Sequence, residues 1–209
     1  TGTNDAPVAS NVNLSGGQTV NAGFDQGFTG WTVTLGPQTG PRGETANLST
    51  YTSSATILTN GSLIPGDNAV ADLRFDTVLN QFFDGPTIGT IFGPSLVSNS
   101  FTGIAGDTVN FVYRAIAGSD DASITAVLVN VQTGAITPVF FANTRAGTTG
   151  PVQTLNIPIG DSGVYQIRFT VGGFDASDGG AVGARLLIGT AGILRSGVAE
   201  DTQSVFDAI

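Results

Sequence analysis

The sequence predicts an all-β fold, and three observations carry that expectation. Glycine makes up 30 of the 209 residues, about twice its usual share. Hydrophobic residues come in short runs bounded by Gly, Pro, Asn and Asp, with no helical period of useful length, which is the punctuation of strands and turns. Residues 164–189, VYQIRFTVGGFDASDGGAVGARLLIG, then show the strand period directly. Tyr165, Ile167, Phe169 and Val171 fall on one side of an extended chain, and Gln166, Arg168 and Thr170 on the other. Val182, Ala184, Leu186 and Ile188 repeat the phase with Arg185 facing out, so the two runs are expected to pair as a hairpin. Its tip, residues 172–180, sets Phe174, Asp175 and Asp178 among four glycines, an acidic turn free to take positive backbone angles.

The elements follow in order along the chain. Residues 1–10, TGTNDAPVAS, have the polar start, Asn-Asp turn and Pro7 of a junction between modules. Residues 24–33, FDQGFTGWTV, lead into a strand, and Trp31 is expected in the core rather than as an exposed sugar platform. Residues 35–47 form a Gly/Pro/Thr-rich loop with Arg42 and Glu44. Residues 50–58, which include Tyr51, and residues 70–79 read as strands; in the second, Ala71, Leu73, Phe75 and Thr77 alternate with Val70, Asp72, Arg74 and Asp76. Phe82 and Phe83 anchor a turn, and residues 85–94 are expected to be an apolar loop folded over the core.

The next part has the clearest pattern. An Ala-Gly-Asp turn precedes a strand with Val109, Phe111, Tyr113 and Ala115 inward, and Ser119, Asp120 and Asp121 make its tip. Residues 124–131 are apolar on both faces, which predicts a strand covered on both sides. A turn at 132–134, a strand at 135–142, a polar loop at 144–150 holding Arg145, a strand at 152–157 and a turn at 159–163 complete the path. Residues 199–209 read as a short helix or the start of a further module.

Missing residue types narrow the chemistry. The chain has no His, Cys, Met or Lys, and all seven cations are Arg. A histidine base, a cysteine nucleophile, a lysine Schiff base and thiolate or imidazole metal sites are therefore excluded. Without cysteine there are no disulfides, so stability comes from packing, or from a hard cation held by oxygen. Sixteen acids against seven arginines give a net charge of −9, which repels phosphate backbones and anionic lipid. No apolar run is long enough to span a membrane, and no secretory leader pattern opens the chain, which reads as a piece of a larger protein.

Several of these motifs resemble known families. TGTNDAPV resembles the close of tandem immunoglobulin-like or cadherin-like repeats of the VCBS type in very large bacterial surface proteins. FDQGFTGW resembles the FExGxxGW opening of galactose-binding-like jelly rolls, the architecture of many carbohydrate-binding modules; there, an acid at the second place, here Asp25, helps hold a structural calcium. The succession AGDTVNF, acidic tip, VNVQTG, GVYQIRF and FDASDGGAVGARLLI resembles the jelly-roll module of repeats-in-toxin adhesins, over nearly all of residues 21–193. The resemblance implies a two-sheet antiparallel jelly-roll β-sandwich over residues 13–195, with a junction at 1–12 and a tail at 196–209. One departure stands out: such modules end their last strand in an Ile-Asp-Asn triplet whose Asp joins the calcium, and here the place reads Ile188, Gly189, Thr190. The inherited site is lost, completed by carbonyls, or moved.

Candidate calcium ligands are thus Asp25, the pair Asp120 and Asp121, and the pair Asp175 and Asp178, each weighed against an ordinary solvated turn. Candidate ligand-binding residues are Arg42, Tyr51, Arg145, Phe174, Asp175 and Asp178, an aromatic and polar set suited to sugar hydroxyls. Asp175 and Asp178 would also have to serve any glycosidase mechanism, but an exposed glycine-rich loop lacks the apolar cleft that raises one acid's pKa. The expectation is a non-catalytic module of a secreted or surface-anchored bacterial adhesin. It would bind a glycan or other cell-surface ligand with structural calcium and sit beside neighbouring repeats of its own chain, with no nucleic acid and no membrane insertion. The alternative is a spacer or self-association module without a ligand.

Overall fold

In a computed structural model of the chain, the described residues are 23–36, 52–59, 63–75, 90–118, 120–145, 147–174 and 183–194. They contain no helix and eleven strands: β1 (Trp31–Thr34), β2 (Ser53–Leu58), β3 (Val70–Phe75), β4 (Thr90–Ser98), β5 (Phe101–Gly103), β6 (Thr108–Ala117), β7 (Asp121–Asn130), β8 (Ile136–Thr144), β9 (Gln153–Pro158), β10 (Gly163–Phe174) and β11 (Ala184–Leu194). The expected junction at 1–12 and the tail at 196–209 lie outside the described residues.

The strands form two antiparallel sheets. Sheet one runs β1-β4-β10-β7-β8 with β5 also on β10, and sheet two runs β2-β3-β11-β6-β9. The pairing is nested. β7 pairs β8, β6 pairs β9, β4 pairs β10 and β3 pairs β11, as in one long hairpin closed at residues 131–135. Successive pairs fall in alternate sheets, so the hairpin is rolled up, and β10 against β7 and β11 against β6 close the seams. This is the jelly-roll connectivity, with β1 and β2 added at the sheet edges. It follows from a long two-armed ribbon burying the same face along its whole length.

Alternation places the core between the sheets. Leu96, Phe101, Ile124, Tyr165, Ile167, Phe169 and Val171 enter from sheet one. Ala71, Leu73, Phe75, Val109, Phe111, Tyr113, Leu186 and Ile188 enter from sheet two. Phe111 meets Phe169 edge-on, with ring centroids 4.8 Å apart and planes at 77°, the geometry ring quadrupoles favour. Trp31 is 7% exposed and lies 6.2 Å from Phe169 and 5.2 Å from Phe24, so it is core as expected. Burial pushes the Tyr113 phenol above its ordinary value of 10.0, and its hydroxyl donates to Gln153 Oε1. Residues 122–128 of β7 are all buried, so the expected cover on both faces holds for 124–128, whereas Val129 and Asn130 are half-buried and Val131, past the strand end, is exposed.

Two expectations are corrected. β10 and β11 keep their predicted inward residues but do not form a hairpin, because they belong to different sheets and meet face to face. Alternation encodes which face a strand buries, not which strand it pairs with. Residues 90–94, expected in a loop, are the first half of β4. The Gly93-Pro94 peptide is cis, and Pro94 falls where the β10 ladder shifts register between Thr170 and Gly172 and beyond the last β1 pairing at Ser95. No ladder donor is demanded of it there.

Phe169→Ala is expected to lower unfolding stability by about 3 to 5 kcal/mol, as a buried ring contacting both sheets. Val152→Ala, at an exposed loop position, should change it by less than about 0.5 kcal/mol. Urea titration of both variants checks this, and similar losses in the two would place the core elsewhere.

Candidate functional site

The outer face of sheet two carries two polar constructions on one strand. The first is a bulge in β11. Ile188 pairs Tyr113 and Ala191 pairs Phe111, so β11 spends three residues where β6 spends two, and the extra residue releases backbone from the ladder. The freed N–H of Thr190 donates to Asp67 Oδ2 at 3.1 Å, and the Thr190 hydroxyl donates to Asp67 Oδ1. Asp67 lies in the connection from β2 to β3, after Gly66 at φ 96°, a turn that only glycine takes readily. Its carboxylate lies against Gly189: a Cβ there would sit 2.0 Å from Asp67 Oδ2 and 3.0 Å from its Cγ.

Glycine at 189 therefore leaves the space that an acid from another loop fills. Asp67 thus brings a carboxylate to the place on the last strand where Gly189 stands. Asp25 is close by. A Cβ on Gly23 would lie 3.5 Å from Asp25 Oδ2 and 3.9 Å from Thr190 Oγ1. Asp25, Thr190 and Asp67 thus form a run of oxygen-bearing groups at the bulge, and the two carboxylates have lone pairs to spare. The donor set is all oxygen, which fits a hard cation and no soft one.

The second construction is an ion cluster nearer the other end of β3 and β11. Arg74 and Arg185 are directly opposed across the two strands, an arrangement that repels unless something neutralises it. Asp72 does so. It is 0% exposed, Arg74 Nε lies 2.7 Å from its Oδ2, and Arg185 donates from Nε to Oδ1 at 3.1 Å and from Nη2 to Oδ2 at 3.0 Å. The two-pronged Arg185 contact fixes that guanidinium in its plane. Ser54 and Thr56 of β2 pair with Arg74 and Asp72 and extend the polar row.

An apolar cluster and a tethering arginine border this polar row. Ile64, Val70 and Leu187 form a small cluster on the outer face, packed by Leu58, Leu63, Val112 and Ile116. Arg114, one strand over from Leu187, donates from Nε to Gly150 O at 2.9 Å and from Nη1 to Leu63 O at 3.3 Å. It ties the residue 63–67 segment to the turn after β8. The outcome is a polar, partly cationic face.

The residues proposed from sequence are distributed differently. Asp25 is exposed beside the bulge. Asp120 is buried and Asp121 half-buried at the start of β7, so they do not form a solvent-facing acidic tip. Arg145 is exposed just after β8. Arg42, Tyr51, Asp175 and Asp178, and the side chain of Phe174, lie outside the described residues. Among the described residues no three acids gather at one point. The motifs do not point to Asp67, Asp72 or Arg74; strand alternation is the signal for Asp72, Arg74 and Arg185, and nothing local marks Asp67.

No protein-family model matches the sequence, and no curated protein matches it. Among solved structures, TmCBM61 in complex with beta-1,4-galactotriose is similar over 84% of this chain and 96% of its own, at 13% identity and a TM-score of 0.48. CBM28, a non-crystalline cellulose specific carbohydrate-binding module, is similar over 86% of this chain and 96% of its own, at 14% identity and a TM-score of 0.48. The family 11 carbohydrate-binding module from Clostridium thermocellum, in complex with a beta-1,3-1,4-mixed-linked tetrasaccharide, is similar over 82% and 92%, at 8% identity and a TM-score of 0.42.

Gly189→Ala is expected to displace the Asp67 carboxylate and cost about 1 to 3 kcal/mol through its lost hydrogen bonds. In an Asp67→Ala background the same substitution should cost less than half as much. A double-mutant cycle by urea unfolding measures this, and additive losses would mean that Gly189 and Asp67 do not share one space.

Proposed function

We propose that this chain is a non-catalytic binding module of a secreted or surface-anchored bacterial adhesin, attaching to a glycan with the support of structural calcium. The observation that carries the reading is the Asp72 cluster: a fully buried carboxylate spent on holding two partly exposed guanidiniums on a sheet face. A buried ion pair stabilises little beyond what apolar residues would, so its use here is to orient donors toward solvent. Fixed guanidinium donors flanked by hydroxyls suit the oxygens of a sugar.

Chemistry supports binding over catalysis. The chain has no His, Cys or Lys, and Asp72 is neutralised by arginine rather than poised beside a second acid. Calcium is proposed at the bulge, with Asp25 and Asp67 as its carboxylates and the Thr190 hydroxyl beside them. It would tie the residues before β1 to β11 and to the connection before β3. The adhesin setting rests on the TGTNDAPV junction and the order of motifs along the chain.

Calcium is expected to raise the melting temperature and a chelator to lower it, and Asp25→Ala and Asp67→Ala should each shrink that difference. Identical melting curves with and without calcium would remove the ion from this reading. A glycan array is the test of the binding function: retention on defined sugars is expected, whereas a spacer module would bind none.

A further inference from the structure

We infer that the outer face of sheet two selects an acidic glycan, one carrying carboxylate or sulfate groups, and that Arg74 and Arg185 receive the anion. This rests on the glycan-binding reading above and adds its charge class. Two guanidiniums on the single Asp72 carboxylate leave one positive charge over. The carboxylates of Asp67 and Asp25 are at the bulge, four residues along β11 from Arg185 to Gly189, or about 13 Å.

The donors are available as well as charged. The Arg74 side chain is 38% exposed and that of Arg185 27% exposed. Arg74 reaches Asp72 through Nε alone, so among the described residues both of its Nη groups lack an acceptor. Arg185 uses Nε and Nη2 on Asp72, and its Nη1 likewise has no acceptor among the described residues. Neighbouring guanidinium edges held by a buried acid offer the forked donor pattern that carboxylate and sulfate oxygens accept.

The position suits a polymer. Arg74 and Arg185 are each one residue inside a strand end, next to Phe75 and Ala184, which pair with each other. Ser54 and Thr56 continue the row toward the β2 edge, so a chain of sugars has hydroxyl partners on one side of the anion site. The protein as a whole carries a charge of −9, which opposes general adsorption of polyanions. Binding of an acidic polymer therefore has to come from a local cationic site.

Affinity electrophoresis and calorimetry with polygalacturonate, dextran sulfate and neutral galactan test this on the intact chain. Polygalacturonate or dextran sulfate should bind, neutral galactan should bind at least tenfold more weakly, and rising salt should weaken the acidic arms. Arg74→Gln, which keeps Arg185 on Asp72, should weaken acidic binding about tenfold or more, with an unchanged melting curve as the check on folding. Arg74→Lys should recover part of the loss. Retention by only one acidic polymer would assign the anion as carboxylate or sulfate. Equal binding of galactan and the acidic polymers, or acidic binding untouched by Arg74→Gln, would overturn the charge class while leaving glycan binding in place. Binding of no polymer at all would overturn both.

Discussion

The packing of Phe111 on Phe169 stands for the constraint on which the whole molecule depends. The two sheets are separate hydrogen-bonded ladders, and the chain has no cysteine to bridge them. What joins them is apolar surface removed from water, worth about 25 cal/mol per Å², together with the loops that cross from one sheet to the other. Every strand of the rolled ribbon must therefore keep its apolar phase inward. The bulge in β11 shows how strictly this is kept, since the extra residue there lets Ile188 and Ala191 both reach the core despite their odd spacing.

Once one face of sheet two is committed to the core, the other is free for polar work, and the chain uses it unevenly. The middle is covered by Ile64 over Val70 and Leu187. Toward one end Asp67 satisfies the backbone that the bulge releases, and toward the other Asp72 holds two arginines in place. Both acids act by fixing other groups, one the N–H and hydroxyl of Thr190 and the other a pair of guanidiniums. Asp72, Arg74 and Arg185 hang on strands, whereas Asp67 reaches the face from the connection before β3.

Much of the fold was legible in the sequence because period-two alternation reports burial directly. Tyr165, Ile167, Phe169, Val171, Leu186 and Ile188 were all assigned inward, and Trp31 to the core, and the structure agrees. Partnership was not legible. β10 and β11 follow one another and share a phase, yet they lie in opposite sheets, since pairing is decided by the nested ribbon as a whole. Residues 90–94 were hidden by Gly93 and Pro94, which look like loop residues until a register shift gives them a place. Asp67 was invisible for a spatial reason: its carboxylate acts 122 residues away from its own place in the chain, at Gly189, and the only local trace was a glycine where an acid was expected.

The most direct measurement is amide chemical-shift mapping of the labelled protein during titration with an acidic oligosaccharide. The result expected is a compact set of shifted amides on β2, β3 and β11, centred on Ser54, Asp72, Arg74 and Arg185. Shifts concentrated instead around the turns at 104–107 and 131–135 would contradict a binding face on the outer side of sheet two.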